Sequence, residues 1–175
     1  MNAVKARLPA AIITERLELA TPALAHVPTM AELANDRRIH AVLSRLPHPY
    51  GESDGRFFVE RIARGPEEHA WSILREGEYL GTVGLHFLPG REPELGYWLG
   101  HIHWGHGYAT EAVRAVVGAA HAAGAPGLRA RALLSNAASL NVLRKAGFRD
   151  IGEDVDTTGT LAGRPVMQMR LEYGS

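Results

Sequence analysis

The sequence contains no cysteine, which removes disulfides, thiolate metal sites and a cysteine nucleophile from the chemistry open to it. Lysine is nearly absent, at Lys5 and Lys145 alone, so the basic side chains are almost all arginine. Neither sign of charge prevails, since 19 basic and 19 acidic residues give a formal net charge of +0. A balanced chain sets up no strong field for nucleic acid or an anionic membrane, and neither is expected as a partner. No run of about 18 or more apolar residues occurs, so no membrane span is expected. The N-terminal stretch MNAVKARLPAAII is interrupted by Pro9 and falls short of a secretory core. The expectation is a cytoplasmic protein.

What is present suits a folded domain. The apolar fraction is 46%, enough for a full core and too high for disorder. The 175 residues are read as one domain over 1–175, with residues 1–10 as an irregular extension. Alternation from Thr14 to Leu19 predicts a strand over IITERLEL, residues 12–19. Thr21-Pro22 is expected to open a helix, with Pro22 in its first turn. LPHPYG, residues 46–51, reads as a loop, and Ser53 or Asp54 as the cap of a helix whose apolar stripe of Phe57, Phe58 and Ile62 is interrupted by the charge of Arg61.

From Ala70 the pattern changes. AWSIL and YLGTVGLHF, separated by Glu76-Gly77, predict a β-hairpin, and ELGYWLG (94–100) a third strand of the meander. Ala109, Ala112, Val113, Val116, Val117 and Ala120 have the spacing of one buried helix face, which Gly124 and Pro126 end. LRARALL reads as a strand and SNAASLNVLRKAG as a helix closed by Gly147. FRDIGE and RPVMQMRLEY read as two further strands. The order is that of a mixed α/β layer domain.

The stretch HIHWGHGYATEA, residues 101–112, admits two readings. Zinc would need several imidazoles to converge, usually with a further ligand from elsewhere. His101, His103 and His106 straddle a glycine turn, no cysteine is available, and no acidic residue stands at a characteristic spacing. No metal is therefore expected. An anion site needs a strand, a glycine loop and the start of a helix, and all three are present. Glycine leaves room for a ligand to approach the backbone, and a helix start offers unpaired N–H groups and the positive end of its dipole. Thr110 adds a hydroxyl. The same two glycines would also serve a plain strand-to-helix turn. A nucleotide P-loop would need GxxxxGK, and a dinucleotide loop would need a third glycine where Thr110 stands.

Here the sequence resembles the GCN5-related N-acetyltransferases (GNAT), and among them the RimJ/RimL-like ribosomal-protein-alanine N-acetyltransferase group. ELGYWLGHIHWGHGYATEAVRAVV resembles the family's acetyl-CoA motif, and SNAASLNVLRKAGF its following Asn–Ser helix. TERLEL, LPHPYGESDGRFFVE and WSILREGEYLGTVGL resemble its first strand, its loop and second helix, and its central hairpin. The resemblance implies a GNAT-like central mixed, mostly antiparallel sheet of about seven strands flanked by about four helices. It implies acetyl-CoA as cosubstrate without a metal. The amides of Trp104, Gly105, His106, Gly107, Tyr108, Ala109 and Thr110 would hold its pyrophosphate, and the backbone at Trp98 and Leu99 its pantetheine arm. One departure is Ile102, where the family often carries Gln, Arg or Glu. Relatives are often dimers, so a homodimer is admitted.

Acetyl transfer to an amine needs a neutral amine and a stabilised oxyanion. An α-amine, with a pKa near ~8, needs less help than a lysine near ~10.4. Glu94, on the strand that would meet the cofactor, is the first candidate base, and His86 on the neighbouring strand the second. Ser139 is the candidate near the sulfur, by resemblance. Asn136 lies three residues before it on one helix face, and capping by Ser135 or Asn136 would explain the pair equally. Tyr50 is the candidate lining residue of an acceptor cleft bounded by residues 47–50 and 157–163. The expected activity is acetyl transfer to a protein N-terminal α-amine or a small-molecule amine. The alternative is a non-catalytic acyl-CoA-binding module of the same fold.

Overall fold

The expected hairpin forms as β3 (Glu68–Arg75) and β4 (Glu78–His86) in a computed structural model that describes residues 2–174. Glu76 and Gly77 turn the chain between them at positive φ, 51° and 81°, the two-residue hairpin geometry. β5 (Glu94–Leu99) continues the meander, pairing antiparallel with β4 from Gly81↔Leu99 to His86↔Glu94. β1 (Ile12–Ile13) and β2 (Glu18–Ala20) extend the sheet on one side, and β6 (Gly127–Leu133), β7 (Arg149–Val155) and β8 (Pro165–Glu172) on the other. The order is β1-β2-β3-β4-β5-β6-β8-β7, and β5 with β6 is the parallel pair among the described residues.

The helices are α1 (Ala3–Arg7), α2 (Val27–Ala34), α3 (Arg37–His40), α4 (Glu52–Phe57), α5 (Tyr108–Ala122) and α6 (Ala137–Lys145). The mixed, mostly antiparallel architecture is as expected. Eight strands replace about seven because the stretch 12–19 is not one strand. Thr14 N–H donates to Leu17 O at 2.9 Å and the Thr14 hydroxyl accepts Leu17 N–H at 3.0 Å, a side-chain-closed turn that folds β1 back on β2. Its tip is Glu15-Arg16. Six helices replace about four because short turns stand where loops were expected. α1 is one of them, formed where residues 1–10 were read as irregular, with Asn2 Oδ1 capping Val4 and Lys5.

Three local expectations are corrected. Pro28, not Pro22, sits in the first turn of α2. α4 is capped at Gly51, whose N–H donates to Asp54 Oδ2 at 2.9 Å. Phe57 and Ile62 do not form a buried stripe, because α4 widens into a π-helical turn over Phe58–Ile62 and both side chains are exposed. By contrast α5 buries Ala112, Val113, Val116 and Ala120 of its expected face and Tyr108 besides, with Ala109 and Val117 half-buried. They pack with Leu95, Leu99, Leu128 and Leu143 in the main core between the sheet and α5–α6. Burial of this apolar face supplies most of what holds α5 in place, at about 25 cal/mol per Å².

At one margin of this core His69 is 7% exposed and packs tilted against Trp71 with ring centroids 4.5 Å apart. Burial and the neighbouring Arg64 guanidinium lower its pKa from 6.5 to about 4. A neutral histidine of this kind contributes stability that is complete above the unfolded value near 6.5 and is lost as pH falls through about 4. The urea midpoint is therefore expected to fall between pH 6.5 and 4, and to fall less steeply in His69→Gln.

Candidate active site

β5 and β6 are joined by a single register, Glu94↔Arg129, with Arg129 N–H donating to Pro93 O at 2.8 Å. Beyond it the strands part, while β6 stays paired with β8 along its whole length. Strand alternation then decides what faces the gap. Pro93 O points to β6, so the backbone groups of Tyr97 and Leu99 do as well. Gly100 N–H donates to Leu80 O, so the even-numbered Trp98 directs its N–H and C=O to β4. Leu99 O is taken by the Trp104 indole N–H at 2.9 Å. The parted strand thus offers the amides of Tyr97 and Leu99, a shift of one residue from the pair Trp98 and Leu99.

Two cavities meet at this parting. One, of about 410 Å³, is lined by Tyr50, Phe58, Glu68, His86, Glu94 and Leu161 among others. The other, of about 610 Å³, is lined by Trp104, Gly105, Gly107–Thr110, Asn136 and Ser139 among others. Gly96, Tyr97, Trp98 and Arg131 belong to the wall of both.

On the larger cavity's side, the loop before α5 has the carbonyls of His101, His106 and Gly107 occupied and the amides of residues 105–110 free. Arg16 Nη1 donates to His106 O at 2.8 Å, Glu111 N–H to Gly107 O at 3.1 Å, and Trp104 N–H to His101 O at 3.1 Å. The amides of residues 105–110 have no acceptor among the described residues. Gly105 and Gly107 both hold φ at 79°, a conformation that turns successive N–H groups to one side and that side chains with a Cβ rarely adopt. Gly107 is the N-cap of α5 without a side-chain cap, so the helix end is left open for an anion.

Arg16 holds this loop from the β1–β2 turn. Its Nε donates to Glu111 Oε1 at 2.8 Å, and its guanidinium lies 4.7 Å from the Tyr108 ring centroid. Burial pushes the Glu111 carboxyl up, but hydrogen bonds from Thr14 and Arg16 outweigh it and hold the group below its ordinary value. His106 is exposed and supplies only its backbone, whereas Ala109 and Thr110 are half-buried. Asn136 caps α6, its Oδ1 accepting Ser139 N–H at 3.2 Å. Ser139 Oγ accepts from the Tyr97 hydroxyl at 3.1 Å.

On the smaller cavity's side a row of polar groups crosses the sheet. Register places Glu68, His86 and Glu94 side by side on β3, β4 and β5. His86 Nδ1 lies 3.0 Å from Glu68 Oε2; a carboxylate there accepts Nδ1–H and leaves Nε2 with its lone pair. Burial pushes the Glu68 carboxyl up, opposed by the bond to His86. Glu94 Oε1 is 3.2 Å from Arg131 Nε, and Arg131 Nη1 is 3.4 Å from Asp156 Oδ1. Tyr50 is 6% exposed and donates to Met30 Sδ at 3.6 Å; burial pushes its hydroxyl to about 12.

The three histidines of the 101–106 stretch do not converge. His101 Nε2 lies 3.2 Å from Arg38 Nη1, and His106 packs on Tyr108. Among the described residues no group of three or more His, Asp or Glu is arranged to hold a metal. No helix among them is long and apolar enough to cross a membrane.

The parting at a parallel pair, the amide loop beside it and the polar row opposite define an acyl-transfer fold of the GCN5-related kind. A family model described as "Acetyltransferase (GNAT) domain" matches residues 16–149, and the chain belongs to that family of acetyltransferases. Its fold matches a GNAT-family acetyltransferase from Bacillus anthracis with a TM-score of 0.81 at 18% identity, over 93% of this chain and 98% of that one. The microcin C7 self-immunity acetyltransferase MccE, solved with acetyl-CoA and AMP, gives 0.81 at 18% identity over 95% and 98%. An acetyl transferase from Salmonella typhimurium that modifies the N-terminal serine of ribosomal protein L7/L12 gives 0.78 at 19% identity over 95% and 99%. A sequence search of curated proteins finds no match.

Sequence reasoning missed Arg16, Glu68, Tyr97, Arg131 and Asp156, which only the folded sheet and its turns bring to the site. It placed residues 47–50 and 157–163 around one cleft; Tyr50 and Leu161 line the smaller cavity, while the contact with 157–163 is made by Ser44. Gly159 lies against Ser44, where a Cβ would stand 1.9 Å from Ser44 O, and its φ of 59° further disfavours a side chain. Gly159→Val is expected to drive these loops apart. Amide exchange at residues 42–46 and 159–161 should then quicken by about 10-fold or more while α5 is unaffected.

Proposed function

We propose that this chain transfers the acetyl group of acetyl-CoA to a primary amine, with a protein N-terminal α-amine as the preferred acceptor. The observation that carries this reading is the meeting of two unlike cavities at the parted strands β5 and β6. One presents free amides to an anion, and the other a polar row to an amine. The amides of residues 105–110 suit the pyrophosphate of the donor, which supplies the activated thioester when bound; the Trp104 amide is already taken by His101 O. The Leu99 and Tyr97 amides suit the arm and the thioester carbonyl, where aimed donors lower the barrier to a developing oxyanion.

Among the candidate bases, His86 has the better geometry. Glu68 fixes its ring through Nδ1, and Nε2 is left to take the amine proton, directly or through one water. Glu94 is committed to Arg131 and is better suited to hold the incoming amine by charge. The polypeptide acceptor is supported by the way the smaller cavity opens. A polar groove bounded by β7 and residues 88–92 adjoins it, sharing Arg45, His86, Glu94 and Arg131. A small amine would leave that groove unused. The absence of cysteine is in keeping with a reducing cytoplasm as the place of action.

Two experiments test the reading. Thiol release from acetyl-CoA is measured against a panel of N-terminal peptides and small amines, with turnover expected on peptides. Tight cofactor binding with no turnover on any acceptor would instead point to a non-catalytic acyl-CoA-binding module. On an active acceptor, His86→Asn is expected to lower kcat by about 10²–10⁴-fold and alter its pH dependence, whereas Glu94→Gln should chiefly raise the acceptor KM. Calorimetry with acetyl-CoA checks the donor side. Gly107→Val should abolish binding, since the added side chain is strained at this φ and its Cβ stands 3.3 Å from Arg16 Nη2. His101→Ala should bind as the wild type does.

A further inference from the structure

Tyr97 stands in the wall common to both cavities, on the strand that leaves β6. Its ring packs against the main core, and its hydroxyl donates to Ser139 Oγ at 3.1 Å. Burial pushes the Tyr97 phenol up, so it remains a neutral donor at neutral pH. Serine has a single hydroxyl proton and two acceptor sites. One of those sites is filled by Tyr97, and the proton of Ser139 must point elsewhere. No acceptor for it exists among the described residues, and Ser139 lines the larger cavity. Without Tyr97 the serine hydroxyl would spread over its staggered rotamers and donate in several directions.

We propose that Tyr97 is a positioning residue that aims the Ser139 hydroxyl at the thioester sulfur. The proposal rests on the acetyl-transfer reading of the site. As the amine nitrogen bonds to the acetyl carbon, the carbon–sulfur bond breaks and its electron pair goes to sulfur. The amine's proton goes to His86. The Ser139 O–H donates a hydrogen bond to the sulfur as negative charge builds, and the bond from Tyr97 polarises that hydroxyl and strengthens its donation. No proton leaves Tyr97, because a phenol, near ~10, is a weaker acid than a thiol, near ~8.5.

The test is a double-mutant cycle of Tyr97→Phe and Ser139→Ala, assayed by thiol release with acetyl-CoA and the best acceptor of the panel. Each single variant is expected to lose about 10-fold in kcat, with KM for acetyl-CoA within about twofold. The double variant should be no slower than Ser139→Ala alone. An unchanged kcat in Tyr97→Phe, a loss confined to KM, or multiplied losses in the double variant would overturn the proposal. A structure of the wild-type protein with coenzyme A decides it independently of activity and of whether Tyr97→Phe folds. Ser139 Oγ is expected within about 3.5 Å of the sulfur while still accepting from Tyr97, and a sulfur seated away from Ser139 overturns it. Wild-type protein that binds coenzyme A in this way yet transfers nothing would refute the acetyl-transfer reading and not the seating of Ser139.

Discussion

The parting of β5 from β6 is the constraint on which the rest of the molecule depends. Adjacent strands normally satisfy each other's backbone groups, and here one register is kept and the following ones are released. Two things make this tolerable. β6 retains a full antiparallel partner in β8, and β5 retains one in β4, so each strand gives up only one side. The exposed amides of Tyr97 and Leu99 then open onto cavities instead of packed core. The same parting lets a donor reach from the α5 side and an acceptor from the other without either crossing the sheet.

Much of this was legible in the sequence, and what was not has identifiable physical causes. The hairpin turn at Glu76-Gly77, the buried face of α5 and the glycine loop before it rest on local chemistry, and they appear where the letters put them. The polar row does not. β4 carries a bulge at Leu80, opposite the step from Ile73 to Leu74, which shifts its later pairing with β3 by one residue. With a straight register Glu68 would face Leu85, and His86 would face Glu67. Because side chains alternate, that slip of one decides which acid supports the histidine.

Arg16 was hidden for a different reason. The alternation from Thr14 to Leu19 is genuine, but the Thr14 hydroxyl closes a turn inside it and so converts an apparent strand into two. The residue at the tip then travels to a loop some ninety positions later, a contact that only the packed sheet creates. The Asn136–Ser139 pair shows the converse case. Its spacing was visible and admitted both capping and ligand contact, and the fold divides the labour. Asn136 secures the end of α6, which frees the serine hydroxyl for another partner.

β7 lies at the outer margin of the sheet, and every one of its residues is exposed. Such a margin is an open template on which a passing strand could zip, the usual start of aggregation. Its make-up works against that. Arg149, Asp150, Glu153 and Asp154 crowd the strand with charge, and the irregularity between Asp150 and Gly152 breaks the even row of hydrogen-bonding groups a newcomer would need. The opposite margin, β1, is only two residues long. A sheet opened in its middle to do chemistry is thus guarded at both ends against growing by accident.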